Sequence, residues 1–249
     1  MWERKELKAR GKAAFKANYW RCVLVGLILA LLIGSAGAGS SIRSRQNLEE
    51  IQQSTQQLED TLEQLDQGQK VIATRIILGT IGAVTCVSFV LSILILNPIE
   101  VGCQRFFRRN SEAPAELNEL GYGFRGNYGR VVKTMLLTDV FLILWTLLFL
   151  IPGIIKAYSY RMVPFILSDE PGLEGREAIN RSREMMNGHK WRTFVLDLSF
   201  ILWDILSVLT LGLVGVFYAV PYQFATNAEL YQTLKDQPKA DGIYTPPLL

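Results

Sequence analysis

The sequence predicts an all-α fold, a membrane bundle of about six helices with an exterior amphipathic helical arm. Of 249 residues, 49% are hydrophobic and the mean hydropathy is +0.20. The apolar residues are gathered into blocks long enough to cross a bilayer, and basic residues cluster between alternate blocks. We therefore predict one membrane domain whose spanning helices are residues 22–39, 71–97, 132–151, 154–168, 193–211 and 213–234.

Composition excludes several classes of function. A formal charge of +3 is too small to indicate a nucleic-acid partner. Cys22, Cys86 and Cys103 lie in or beside apolar blocks without the short spacing of a zinc site or disulfide framework. His189 is the single histidine, so no histidine-based metal cluster or Ser-His-Asp triad can form. We expect no metal, no cofactor and no enzymatic activity.

The chain opens with a basic segment, residues 1–21, which holds seven Lys and Arg against two Glu. Aromatic residues follow at its end, a combination that suits a cytoplasmic headgroup layer. The segment therefore predicts a cytoplasmic amphipathic piece before the first span. An alternative is a cleavable signal peptide ending near Ala36–Gly37–Ala38, which would remove residues 1–38.

Residues 40–70 are strongly polar, with six acids against three bases, which suits an exterior loop. Five apolar residues and one threonine in this segment alternate by three and four, in an a/d heptad pattern: Leu48, Ile51, Thr55, Leu58, Leu62 and Leu65. This pattern predicts a helical arm that lies on its own protein. The alternative is a short coiled coil with an envelope protein partner.

The second predicted helix ends at Asn97–Pro98, and residues 103–133 then hold six bases, including the "RFFRR" cluster. We assign this stretch to the cytoplasm. It contains "GYGFRG", residues 121–126, which matches GxGxxG. No strand precedes the match and a membrane span follows it, so it does not indicate a dinucleotide site.

The stretch "LFLIPGIIKAYSYRMVPFILSDEP", residues 148–171, decides the topology. If residues 134–155 were one crossing, residues 156–192, with seven Lys and Arg, would face outside. That contradicts the positive-inside rule. We therefore predict a helical hairpin that turns at Pro152–Gly153 and returns through residues 154–168.

The hairpin places two basic residues in the bilayer, at roughly 2.5–3.5 kcal/mol each near a helix centre. Lys156 can extend its ammonium to the outer surface, whereas Arg161 needs a partner. A second outer turn at Leu211–Gly212 divides the last apolar region.

Helix-rise counting from the two turns puts Arg161 and Asp204 at similar depths. Asp197 shares a face with Asp204, because the two are seven residues apart. We predict an Arg161–Asp204 pair, with Asp139 and Asp197 in the same polar interior.

Residues 169–192 predict a cytoplasmic interfacial helix. One face of this segment carries Ala178, Ile179, Ser182, Met185 and Met186. Its basic residues are candidate contacts for anionic lipid headgroups: Arg181, Arg183, Lys190 and Arg192. The alternative is a solvated basic face without a specific ligand.

Three segments together resemble one family: "IPGIIKAYSYRMVPFILSDEP", "SREMMNGHKWRTFVLDLSF" and "TLGLVGVFYAVPY". This is the family of bacterial integral membrane proteins catalogued as domain of unknown function 975. The opening "RKELKARGKAAFKANYW" is similar to the usual start of that family. The resemblance covers most of the chain, with residues 40–70 the least similar. It implies a multi-pass bacterial membrane protein and supplies no activity, cofactor or catalytic residue.

These observations favour a non-enzymatic protein that moves or senses a lipid or small amphiphile. A structural or interaction protein acting through residues 40–70 is the alternative, and a lipid-modifying enzyme that uses Asp139 or Asp197 is the third hypothesis. We expect the bacterial plasma membrane as the location, with both termini cytoplasmic.

Overall fold

A computed structural model describes residues 2–34, 66–125 and 127–236, and no strand occurs in these ranges. The elements follow in chain order: α1 Arg4–Ala17, α2 Tyr19–Gly34, α3 Gln67–Leu91, a π turn Ser92–Leu96, α4 Asn97–Glu112, a 3-10 helix Leu117–Phe124, α5 Tyr128–Leu148, α6 Leu150–Tyr160, α7 Val163–Asp169, α8 Gly175–Met185, α9 Lys190–Leu198, α10 Ile201–Leu209, a second π turn Gly215–Ala219 and α11 Val220–Lys235. The chain is therefore all-helical where it is described, as the sequence predicts.

Two stretches of the described chain are long and apolar enough to cross a membrane, Gln67–Asn110 and Tyr128–Leu148. A third is added if α1 and α2, which meet at an angle of 107°, form one bent span. The structure thus supplies two or three candidate spans, and the predicted number of about six is not confirmed.

Large exposed apolar side chains concentrate on α3, the second half of α5, the start of α6 and α10. Leu147, for example, is 82% exposed, and the most apolar part of the stretch Gln67–Asn110 is not buried by the other described residues. A concentration of exposed apolar side chains marks a surface for interaction with lipid or another protein, and the candidate spans carry part of it.

The tightly packed core lies elsewhere, where α1, α4, α7 and α11 meet. Phe15, Phe106, Phe165 and Tyr231 are among its largest fully buried side chains. α1 packs along α11 through its buried face of Leu7, Gly11 and Phe15. The basic opening segment is therefore an amphipathic helix whose apolar face contacts its own protein.

α5 and α6 form a hairpin, but the chain turns at Phe149, three residues before the predicted Pro152–Gly153. A Cβ on Gly153 would lie only 2.5 Å from the Thr146 hydroxyl oxygen. Residues seven apart in a straight helix would be about 10 Å apart, so α6 must fold back on α5. Pro152 lies in the first turn of α6, where a missing N–H costs nothing.

The predicted return helix, residues 154–168, is broken at Arg161–Met162 into α6 and α7. Pro164 follows the break directly and cannot donate a backbone hydrogen bond to the preceding turn. The predicted helix 193–211 is also broken, at Ser199–Phe200, and ends at a turn where Leu211 and Gly212 both have positive φ, as expected for a tight reversal.

The position of α8 contradicts the prediction that residues 169–192 form an interfacial helix. The face expected to meet lipid is buried inside the protein, with Ala178 and Ser182 fully covered. The Ser182 hydroxyl donates a hydrogen bond to the Ser159 carbonyl at 2.8 Å and accepts one from the Met162 N–H at 3.2 Å. Amphipathic periodicity is the same for a face that meets protein and one that meets lipid, so the sequence could not distinguish them.

Most of the predicted exterior arm, residues 40–65, lies outside the described residues, as does Ala36–Gly37–Ala38. The last four residues of the predicted arm, 67–70, form the first turn of α3 instead. The second apolar helix therefore starts at Gln67, four residues before the predicted residue 71.

Candidate functional site

Arg161 lies at the break between α6 and α7 and binds Asp197 on α9. Its two terminal nitrogens donate to the two carboxylate oxygens at 2.5 and 2.8 Å. This two-fold geometry is the strongest that an arginine and a carboxylate can adopt. The pair joins the broken return helix to α9.

Two further side chains complete this group, which we call the Arg161 cluster. The Tyr158 hydroxyl donates to Asp197 at 2.9 Å, and Arg161 donates to the Asn227 side-chain oxygen on α11 at 2.9 Å. The Arg161 guanidinium also lies beside the Tyr158 ring. The cluster therefore connects α6, α9 and α11 with each charge matched by opposite charge or a hydrogen bond.

The predicted Arg161–Asp204 pair is wrong, because the partner of Arg161 is Asp197. The prediction counted the helical rise from each turn and so assumed two straight helices. Both helices are broken, at Arg161–Met162 and at Ser199–Phe200. Asp204 lies on α10 beyond the second break and is exposed. Its carboxylate has no hydrogen bond or ion pair within residues 2–34, 66–125 and 127–236.

Asp139 does not join the Arg161 cluster, which corrects the prediction of one polar interior. Its carboxylate accepts a hydrogen bond from the Asn97 amide at 3.0 Å. Asn97 is the first residue of α4, directly after the π turn, and Glu100 is one turn further on and within electrostatic range of Asp139. The polar residues predicted to share one interior therefore do not all lie together.

Lys156 contacts the hairpin itself. Its ammonium lies 4.5 Å from the centroid of the Trp145 ring on α5, a cation–π contact. The residue is partly exposed near the turn at Phe149.

The second helix break is occupied by Lys8 of α1. The ammonium donates to the Ser199 carbonyl at 3.2 Å and to the Ser199 hydroxyl at 3.1 Å, and it lies 4.2 Å from the Phe200 ring centroid. A cation at the C-terminus of α9 satisfies carbonyl groups that the broken helix leaves free. Burial and, secondarily, the charge of Arg4 lower the pKa of Lys8.

Asp169, the last residue of α7, is the centre of a network of ion pairs and hydrogen bonds. It contacts Arg108, Lys235 and the Tyr231 hydroxyl. Burial alone would raise the pKa of this carboxyl, but the hydrogen bond from Lys235, the charge of Arg108 and the hydrogen bond from Tyr231 together lower it. This network ties α4, α7 and α11 together.

The four predicted headgroup contacts have different surroundings. Arg181 forms an ion pair with Glu170, and Arg183 donates to the Asn180 side chain, so both have partners on the protein. Lys190 begins α9, and Arg192 donates to the backbone carbonyl of Trp2 at 3.3 Å.

Sequence reasoning missed Tyr158, Asn227, Asn97, Lys8 and Trp2. Tyr158 lies one helical turn before Arg161, so its position on the same face was a usable signal. Asn227 is a polar residue in a run of small and apolar ones. The contact of Lys8 spans 191 residues of sequence, and no local pattern indicates it. Among the described residues, no group of three His, Cys, Asp or Glu side chains is placed to hold a metal ion.

The fold and the polar groups define an all-helical protein with candidate membrane-spanning helices. Its sequence matches the family model described as "Protein of unknown function (DUF975)" over residues 130–238. The match confirms the predicted resemblance over these residues, while the similar opening segment lies outside it. No curated protein and no solved structure shows a significant match to the chain.

Proposed function

We propose that this chain is a multi-pass protein of the bacterial plasma membrane that moves or senses a lipid or small amphiphile, without catalysing a reaction. The observation that carries the proposal is the carboxylate of Asp204. It is exposed among Ile201, Leu202 and Ile205, and no side chain of the described residues pairs with it. A charge at such a position is unfavourable in lipid and is a functional candidate by default.

The surroundings of Asp204 support a binding role. Asp204 lies near the Arg161 cluster, since its charge and that of Asp197 interact across the break at Ser199–Phe200. Broken helices with polar groups at the breaks are the usual construction of small-molecule sites at membrane depth. Arg161 is already neutralised by Asp197, so Asp204 is the acceptor left for a polar headgroup.

A carboxylate accepts hydrogen bonds and attracts cations, which sets the headgroup chemistry of the ligand. An amphiphile with an amine would pair with Asp204 while its chain lies along the exposed apolar side chains of α10. A hydroxyl would bind more weakly, and an anionic headgroup would be repelled.

Basic residues set the proposed orientation. Six membrane helices with both chain ends in the cytoplasm keep the basic segments around residues 1–21, 103–133 and 156–192 on one side. The turns at Phe149 and at Leu211–Gly212 then lie at the outer surface.

Binding is the step that moving and sensing share, so it is tested first. The purified chain in a neutral detergent is titrated with dodecylamine, dodecanol and dodecanoate, and its thermal unfolding is followed. We expect dodecylamine to raise the melting temperature most and dodecanoate least. Asp204→Asn should abolish the difference between the three compounds.

Asp236→Asn is the matched control, since Asp236 is an exposed acid at the end of α11, outside the apolar surface. It should respond as the unmodified chain does. Equal responses of the Asp204→Asn variant and the unmodified chain would reject the proposal.

A further inference from the structure

A cleft with a volume of about 540 Å³ lies between the start of α1 and the first turns of α9. We call it the cationic cleft, and it is lined by Trp2, Glu3, Arg4, Lys5, Trp191, Arg192 and Val195. Its volume is within the range of about 300–1,000 Å³ typical of small-molecule sites. Three cations and one acid give its lining a net positive charge.

The cations of the cleft are available to a ligand. Arg4 and Lys5 are exposed and have no side-chain hydrogen bond or ion pair within the described parts of the chain. Arg192 donates to the Trp2 carbonyl, its guanidinium lies over the Trp2 ring, and no carboxylate of the described residues forms an ion pair with it. By contrast, Arg108 and Arg181 are neutralised by Asp169 and Glu170.

The cleft has a fixed wall. Trp2 is only 7% exposed, and its indole N–H donates to the His189 Nδ1 at 3.2 Å. Arg192 anchors the same residue through its carbonyl. The two sides of the cleft, 190 residues apart in sequence, are therefore held together before any ligand arrives.

The surface beside the cleft indicates its environment. Trp191 is 72% exposed and stacks on Phe194, and exposed apolar residues continue along the helices through Leu198 to Leu202. Tryptophan at the end of an apolar stripe is typical of the boundary between acyl chains and headgroups. The cleft therefore lies at headgroup level if α9 and α10 face lipid.

We propose that the cationic cleft binds the phosphate of an anionic phospholipid headgroup. The guanidinium of Arg192 and the charges of Arg4 and Lys5 surround the phosphate, and the acyl chains extend past Trp191 and Phe194. Arginine recognises phosphate through paired hydrogen bonds, and the apolar stripe distinguishes a lipid from a free anion. The inference goes beyond the proposed function, since it needs neither Asp204 nor transport.

The test uses the full chain in a neutral detergent, titrated with dihexanoyl-phosphatidylglycerol, dihexanoyl-phosphatidylcholine and inorganic phosphate, with tryptophan fluorescence as the readout. We expect the phosphatidylglycerol to bind at least several-fold more tightly than the other two. Arg192→Gln should weaken this binding about ten-fold, the loss expected for one charged hydrogen bond.

A second variant, Arg4→Gln with Lys5→Gln, tests the opposite wall of the cleft and should also weaken binding. Arg176→Gln is the matched control, because Arg176 is an exposed arginine on α8 outside the cleft. Glu3→Gln removes the one acid and should tighten binding. Melting temperatures of all variants show that each is folded.

Three results would overturn the inference. Equal affinity for the two lipids would show that the headgroup charge is not recognised. Competition by inorganic phosphate at similar concentrations would indicate a free-anion site instead of a lipid site. An equal loss in Arg176→Gln would show a diffuse effect of surface charge.

This outcome is separable from that of the proposed function. Asp204→Asn should leave phosphatidylglycerol binding unchanged. If the unmodified chain does not prefer phosphatidylglycerol but responds to dodecylamine as expected, this inference alone is rejected. The reverse pattern would reject only the proposed function.

Discussion

Arg161 and Asp197, 36 residues apart in sequence, are joined through both terminal guanidinium nitrogens and both carboxylate oxygens. The pair is formed where one helix is broken and where another is about to break. It therefore holds the hairpin of α5 and α6 against α9, and Asn227 extends the link to α11. The charge of Arg161 would be unfavourable in lipid without a partner, and here it links α6, α9 and α11.

Removal of the arginine should destabilise the chain. We expect Arg161→Ala to lower the free energy of unfolding by about 3 kcal/mol, at the lower end for a broken buried pair because the two side chains retain 21% and 24% exposure. Arg161→Lys keeps the charge but loses the two-fold geometry and should lose less. Unfolding in detergent with increasing denaturant measures both values.

A double-mutant cycle separates the pair from its surroundings. Because the single variants each leave one charge without its partner, Arg161→Ala combined with Asp197→Ala should cost clearly less than the sum of the two. Additive losses would mean that the two residues stabilise the fold independently.

The close approach of α5 and α6 predicts that alanine substitution destabilises the chain at one glycine and not at another. Gly153→Ala should lower stability by about 1–3 kcal/mol, because the new methyl group would overlap Thr146. Gly79→Ala on α3 is the control, since a Cβ there meets no atom of the described residues within 4 Å. This control should be neutral or slightly stabilising, and thermal unfolding of the two variants compares them directly. A tolerated Gly153→Ala would contradict the close approach of α5 and α6.

Asp169 predicts how stability changes in acid. Its pKa is lowered from the ordinary value of 3.8, so the folded state favours the charged carboxylate. The stabilisation is complete above pH 3.8 and is lost as the pH falls from there through the lowered pKa. Asp169→Asn should remove this part of the acid dependence while lowering stability at neutral pH.

The measurement is a series of melting temperatures from neutral pH to about pH 2, below the ordinary carboxyl pKa. Asp236→Asn serves as the control, because this exposed acid has no ion-pair partner among the described residues. An Asp169→Asn variant with the same acid dependence as the unmodified chain would show that the network around Lys235 and Arg108 does not stabilise the carboxylate.

Some of this structure follows from the sequence and some does not. The hairpin was predictable because charge counting and the Pro-Gly pair agree, although proline in the first turn of α6 moves the reversal to Phe149. The need of Arg161 for an acid was also predictable from the cost of a charge in lipid. The identity of that acid was not predictable from the sequence. Counting the helical rise from each turn gives the right depth only for straight helices, and both helices are broken.

The sequence also does not show whether lipid or protein covers the apolar face of a helix. The residues of α8 alternate as an interfacial helix would, yet Ser182 and Ala178 are buried against the protein. Likewise, the opening basic segment has the composition of a lipid-binding helix, and its apolar face packs on α11. Periodicity gives the width of such a face, and only the tertiary contacts show what covers it.

The central claim is that the chain recrosses the membrane through the hairpin, so that α8 lies in the cytoplasm and the Leu211–Gly212 turn lies outside. The direct measurement replaces the native cysteines, introduces Asn187→Cys or Leu211→Cys, and labels intact cells with a membrane-impermeant thiol reagent. Both positions are exposed, at the two ends of the α9–α10 pair. The account predicts immediate labelling at position 211, and labelling at position 187 only after permeabilisation. Labelling of position 187 in intact cells would contradict it, because α5 would then be a single crossing and the Arg161 cluster would lie outside the membrane.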